Sequence, residues 1–292
     1  MAHFLKLNNK TKFMRKFFLI IFIFTISFSA IKAQNTNEVI SKAITALAPT
    51  NTYTYSFTTA ERINGELILS GMNAKLMQKP LKIYLNNTSG KNKGKELLYV
   101  EGKNNNKVLI NVAWGFSLNP FSSLVRKGNH YTILDTGFKN VRSILSNAKK
   151  RADAENMLDE VFKYEGTVTF DGRKCYKYTI TDPTFSYETY TIKNGETLYE
   201  LAKRKIINEQ LIIEKNKNLS GFDSAKDGLV IQIPTSYAKR SVIYIDAGNF
   251  HTVYQELYDD KGLFEKYTYK NLVINPKFSA DEFTEDFPAY NF

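Results

Sequence analysis

The stretch that decides how this chain is read runs from Tyr190 to Pro234. It opens Tyr190-Thr191-Ile192-Lys193-Asn194-Gly195-Glu196-Thr197-Leu198-Tyr199-Glu200-Leu201-Ala202 and closes Gly228-Leu229-Val230-Ile231-Gln232-Ile233-Pro234. Thr197 followed by Glu200 is a capping-box pattern, so a helix starts there with Leu198, Leu201 and Ala202 on one face. Lys203-Arg204-Lys205 puts positive charge at its C-terminal end, where the helix dipole favours it. Asn208 is placed to cap a second helix carrying Leu211 and Ile212. Ile231 and Ile233 alternate in a closing strand that Pro234 ends. The segment therefore reads strand, helix, helix, strand.

The surrounding sequence has a different period. Val39, Ile40, Ala43, Ile44 and Leu47 recur at helical spacing, and Pro49 stops that helix. Tyr53, Tyr55 and Phe57 then alternate with Thr and Ser. Short strands follow at Leu67 to Leu69, Leu81 to Leu85, Leu97 to Val100 and Val108 to Val112, with Gly-, Asn- and Lys-rich turns between them. Residues 114–155 interrupt the strands with Trp114-Gly115-Phe116, Asn119-Pro120-Phe121 and a helix through Val141, Ile144, Leu145 and Ala148. Lys163 to Phe170 and Lys174 to Thr181 form a hairpin about Asp171-Gly172. Strands resume at Val242 to Ile245, Thr252 to Tyr258 and Phe264 to Ile274. The βααβ segment thus interrupts a run of strands. A unit whose two strands pair has neighbouring ends, and such units are tolerated at exposed turns. The expected organisation is residues 34–187 and 238–292 as one discontinuous outer domain around an insert at 188–237.

The N-terminus carries its own message. Met14-Arg15-Lys16 is basic, Phe17 to Phe28 is almost wholly apolar, and small residues lead to Ala33. That order is a secretory signal peptide, with cleavage expected after Ala33, and Met14 begins a complete signal by itself. The apolar run is shorter than the ~20 residues of a spanning helix, so no transmembrane span is expected in the mature chain. The formal charge of the 292-residue chain is +11, but residues 1–33 hold six basic residues and no acid. The excess beyond them suits anionic envelope polymers, and no basic-aromatic pattern of a nucleic-acid groove accompanies it. The chain's one cysteine, Cys175, closes no intrachain disulfide, so an exported domain must rest on its core.

Two resemblances follow from these residues. Gly195-Glu196-Thr197-Leu198 and the βααβ order resemble a LysM module, a small glycan-binding unit. The resemblance implies a groove for an N-acetylglucosamine polymer such as peptidoglycan, formed by Gly195, Glu196, Thr197 and Leu198 with Asn216, Asn218 and Leu219. Three residues depart from the LysM pattern: Glu196 in place of Asp, Ile206 in place of the Gly that ends the first helix, and Lys217 in place of a Pro. The stretch from Asn119 to Phe138, with Tyr244-Ile245-Asp246 through Asn275-Pro276, resembles a family of exported bacterial proteins of unknown function within the LolA/LolB lipoprotein-carrier superfamily. That implies an α+β fold: a curved antiparallel sheet, an incomplete barrel, with covering helices. It also implies an apolar concavity for a lipid or lipoprotein acyl chain. Trp114, Phe116, Phe121, Arg126 and His130 are the candidate residues for that cavity or its lid. The aromatics read first as core, and Arg126 and His130 first as parts of a hydrogen-bonded turn.

Catalytic signatures are weak. His130 and His251 lack the helical His/Glu partners of zinc proteases, and no Gly-x-Ser-x-Gly elbow occurs. No metal or cofactor is expected. The sequence favours a non-enzymatic, exported and periplasmic envelope protein. A purely structural peptidoglycan-binding protein and a cell-wall hydrolase are the alternatives.

Overall fold

The computed structural model describes residues 36–48, 52–111, 116–126 and 128–292. The expected signal peptide, with its cleavage site, and Trp114 lie outside the described residues. Helix α1 (36–46) leads into β1 (Thr52–Ile63), β2 (Glu66–Gln78), β3 (Leu81–Ser89), β4 (Glu96–Val100), β5 (Val108–Ile110) and β6 (Ser117–Leu118). Three helices follow: α2 (Ser123–Arg126), α3 (Lys139–Ala154) and α4 (Leu158–Val161). Then come β7 (Phe162–Phe170), β8 (Arg173–Thr181), β9 (Tyr187–Thr191), α5 (Leu198–Lys205), α6 (Glu209–Lys215) and β10 (Val230–Pro234). Strands β11 (Arg240–Asp246), β12 (Thr252–Asp259) and β13 (Gly262–Ile274) complete the chain.

Among the described residues eleven strands form one sheet in the order β6-β5-β4-β3-β2-β1-β13-β12-β11-β8-β7, and the neighbours are antiparallel. The sheet is open, with β6 and β7 at its edges. Period-two alternation divides its faces. Ile83 and Leu85 point to the central core, while Tyr84 between them packs with Leu98 and Phe283 on the other face. There the C-terminal segment lies over the sheet, with Tyr290 stacked on Tyr84 at 3.6 Å between ring centroids. On the inner face α1 and α3 pack together, through Val39, Ile40 and Ala43 against Leu145, Ala152, Phe162 and Ile245. Residues of α3 face β2 to β5 on one side and β8, β11 and β12 on the other. The sheet therefore curves around that helix.

Gly137 sits at the turn into α3 with φ +102, and a β-carbon there would run into the Leu76 side chain. Only glycine lets the chain turn this close to the sheet. Cys175 is fully buried, and burial pushes its thiol up to about 11, so it is an unreactive core group.

β9 and β10 pair only with each other, as a two-stranded sheet that closes the 190–234 segment. The segment has its own apolar core of Ile192, Leu198, Leu201, Ile212, Ile231 and Ile233. Each such buried aliphatic contributes roughly 1.5–3 kcal/mol relative to exposure. Thr197 and Glu200 complete the capping box reciprocally, and the Asn208 side chain accepts from Gln210 N–H. The first helix ends without glycine: Ile206 itself adopts the left-handed conformation, φ 54 and ψ 54. A β-branched residue there is strained. The flanking strands β8 and β11 pair directly, so the segment leaves and rejoins the large sheet at adjacent strands.

Candidate functional site

The inner face of the sheet holds two unlike regions: an apolar hollow and a charged seam. The hollow lies on both sides of α3. One compartment, of about 150 Å³, is bounded by Tyr55, Phe57, Met72, Leu85, Leu97, Ile110 and Tyr269 from the strands, with Leu124, Val125 and Ile133 from the segment before α3. The other, of about 90 Å³, is bounded by Leu145, Ala148, Val161, Ile180 and Ile243. Val141, Ile144, Gln255 and Leu257 belong to both, so α3 divides one apolar space into two. At the mouth of the smaller compartment Arg151 donates to Asp182 at 2.8 Å. Burial raises the Asp182 carboxyl, but hydrogen bonds from Ser236 and Thr184, with Arg151 beside it, hold it below its ordinary value. The other compartment has an exposed Leu124 on its rim together with Asn92 and Lys95.

Two buried polar atoms in this hollow lack partners: Gln255 Nε2 and Thr252 Oγ1. A buried polar group without a hydrogen bond costs about 1–3 kcal/mol.

The seam joins the large sheet to the βααβ segment. His130, 1% exposed, donates from Nε2 to the Arg62 carbonyl at 2.7 Å and meets Glu265 Oε1 through Nδ1 at 2.6 Å. Glu265 also accepts from Asn208 Nδ2, Tyr237 and Tyr131. Nε2 can only donate to a carbonyl, and Nδ1 lies against a carboxyl oxygen, so the site favours the doubly protonated imidazole. Burial lowers its pKa, but the Glu61 and Glu265 carboxylates overcome this and hold it above the ordinary value. Glu61 is raised, first by burial and then by Glu265, against the lowering effect of His130. Its carboxylate accepts the His130 backbone N–H at 2.8 Å and the Tyr267 hydroxyl.

Beside this group Arg126, 2% exposed, grips Glu209 of α6 with two bonds of 3.2 and 2.7 Å and donates to the His130 carbonyl. The Phe222 ring covers its guanidinium at 3.5 Å. Arg62 bonds both Asp259 and Glu214 of α6. Lys203 of α5 reaches Asp135 at 2.6 Å and Asn140 at 2.8 Å, next to α3.

These positions correct the expectation for the cavity. Arg126 and His130 line neither compartment. Their charges are consumed inside the seam, because an unpaired buried charge would be far too costly. Phe121 also lies outside both compartments and packs edge-on against Tyr199 of α5 at 4.9 Å. Phe116 is exposed, and it too bounds neither compartment.

The glycan candidates are split. Gly195 and Thr197 are exposed, as is Asn218. Gly195 N–H donates to Asp227, and Thr197 serves as the helix cap. Glu196 is held by Arg204, Tyr190 and the Lys193 N–H, which keep it below its ordinary value although burial pushes the other way. Leu198 and Leu219 point into the segment's core, and the Asn216 amide is spent on Ile212 O and Gln232 O.

Sequence reasoning missed Glu61, Gln255 and Glu265. The signal was present: each continues an inward series, Tyr55-Phe57-Thr59-Glu61, Val253-Gln255-Leu257 and Glu265-Tyr267-Tyr269. Polar residues in phase with a buried face mark a site.

Among the described residues no helix is long and apolar enough to cross a membrane, and no group of three His, Cys, Asp or Glu could hold a metal ion. No curated protein matches the chain. Solved structures that it resembles include the lipoprotein LppX of Mycobacterium tuberculosis, at 14% identity over 85% of this chain and 99% of that one, with a TM-score of 0.40. A DUF1329 family protein from Desulfovibrio piger ATCC 29098 matches at 9% identity over 86% and 96%, with a TM-score of 0.32. A LolA superfamily protein from Nitrosomonas europaea matches at 9% identity over 86% and 98%, with a TM-score of 0.30. The model of a family described as protein of unknown function (DUF1571) matches residues 50–212, from the start of β1 into α6, and the chain belongs to that family.

Proposed function

We propose that the protein is a non-enzymatic envelope protein that holds a lipid or lipoprotein acyl chain in the hollow around α3. The observation that supports this is the hollow itself: apolar walls from both ends of the curved sheet, with a single amphipathic helix between them. Space of this kind inside a close-packed domain is unfilled by its own side chains, and apolar cavities attract apolar ligands. The two compartments are small for a long chain, so binding requires α3 to shift and join them. Export to the periplasm is part of the same reading. Organic extraction and native mass spectrometry of the purified mature protein should recover lipid. Protein that comes off the column empty and gains no mass on incubation with vesicle lipids would sink the proposal. Release of soluble muropeptides from cell wall would overturn the non-enzymatic part.

A second reading concerns the 190–234 segment, for which the βααβ order and the exposed loop at Gly195 to Thr197 support peptidoglycan binding. With Leu198, Asn216 and Leu219 committed inward, the contacts fall to backbone groups and to Asn218. Sedimentation with purified peptidoglycan tests this. Equal sedimentation of the wild type and an Asn218→Trp variant would remove the role given to that loop.

A further inference from the structure

Gln255 stands on the inward face of β12 between Val253 and Leu257, 5% exposed. Its amide lies close to the Tyr269 hydroxyl, but the nitrogen has no hydrogen bond of good geometry. It lies where the two compartments meet, beside Val141, Ile144 and Leu257. Thr252 Oγ1, fully buried three residues earlier on the same strand, is also without a partner and faces the smaller compartment. At ~3.3 Å per residue the two groups are about 10 Å apart along the strand, too far for one water to satisfy both. A leucine at 255 would fill the same space with no polar penalty. The unpaired donor therefore asks for an oxygen brought by the occupant.

The charges nearby decide which oxygen. Arg151 is already paired with Asp182, and Lys95 donates to Asn92. Glu61 lines the larger compartment. A free carboxylate at Gln255 would be buried without a cation and would face Glu61, which is unfavourable on both counts. A neutral carbonyl meets neither objection.

We propose that the hollow takes a long-chain ester or amide, with the chain passing Val141, Ile144 and Leu257 and the carbonyl oxygen accepting from Gln255 Nε2. This rests on the lipid reading above and narrows it to neutral acyl compounds. The test is displacement of the fluorescent probe N-phenyl-1-naphthylamine from the delipidated full-length protein by methyl palmitate, palmitate and hexadecane. Methyl palmitate should bind most tightly. Gln255→Leu should weaken it ~3–10-fold, the worth of one hydrogen bond, and leave hexadecane unchanged. The carbonyl stretch of methyl palmitate should move to lower wavenumber in the wild type and not in the variant. Equal affinity of wild type and variant for methyl palmitate, or tighter binding of palmitate, overturns the role of Gln255 while leaving the lipid reading intact. Failure of all three compounds to displace the probe removes both. Because the amide has no partner in the free protein, Gln255→Leu should keep or raise Tm. A clear fall would show that the amide is already satisfied and would likewise overturn the proposal.

Discussion

The hollow and the seam lie on the same inner face, and strands β1, β12 and β13 contribute to both, yet they are built in opposite ways. The seam is dense with charge, and its charged groups are paired, Arg126 on Glu209, Arg62 on Asp259 and Glu214, His130 on Glu265, although Arg126 Nε and Glu214 Oε1 themselves have no partner. The hollow is apolar, incompletely filled, and leaves Gln255 and Thr252 without partners. A region whose charges are paired and which leaves no space fixes two bodies relative to one another. A region whose polar groups and space are left over is waiting for something else. The seam is therefore a joint, and the hollow is where the proposed lipid would bind.

The largest effect that would break this contrast is at the joint. Arg126→Ala leaves Glu209 buried without its cation and should cost about 3–5 kcal/mol, read from urea unfolding. An Arg126→Met, Glu209→Leu pair should recover much of that loss. If Arg126→Ala is nearly neutral, the seam is not a closed ionic joint.

The next effect is pH dependence. His130, Glu61 and Glu209 all have folded-state pKa values above their ordinary ones, Glu209 chiefly through burial against the pull of Arg126. The folded protein therefore holds these protons more tightly than the unfolded chain. Their stabilisation is complete below the unfolded values and is lost as pH rises through the folded ones. Tm should fall from about pH 6.5 toward pH 8, above the ordinary His value, where only the groups with raised values still titrate. Carboxylates with lowered values, such as Glu196 and Glu256, act at more acidic pH, and His251, which burial lowers, opposes the trend only below the ordinary His value. A Tm that rises over that interval would contradict the imidazolium assigned to His130.

In the hollow the same kind of change should do something else. Ile144→Phe adds bulk where both compartments meet, so it should displace bound lipid while changing stability by less than about 1.5 kcal/mol. Lipid retention with a large loss of stability would mean that the space is not a binding cavity. The smallest effect is expected at the edge of the smaller compartment, which Ile206 also lines. Ile206→Gly removes the strain of a branched residue in the left-handed region, worth about 1–2 kcal/mol, less the contact that its side chain gives up. A modest rise in Tm is the expected result.

The elements were legible because their signals are local. The Thr197/Glu200 capping box, the Asp171-Gly172 turn and the period-two run from Tyr53 each specify backbone shape within a few residues. Asp171 and Gly172 indeed take positive φ, as the hairpin needs. The sites were less legible. Arg126 and His130 read in sequence as a hydrogen-bonded turn or a lid latch, but their partners Glu209 and Glu265 are 83 and 135 residues away. Nothing local reports such a partner, and a buried arginine reads in sequence like an exposed one.

What the sequence determined by itself is the order of the longer strands and helices and the phase of those strands. Those follow from backbone stereochemistry and from the need of each apolar face to leave water. Only the tertiary structure decided that the 190–234 segment is clamped by buried ion pairs rather than tethered. It also decided that Leu198 and Asn216 turn inward, and that Gln255 stands unpaired beneath α3. Each of these depends on which distant groups share a low-dielectric interior, and that proximity is set by how the curved sheet closes around one helix.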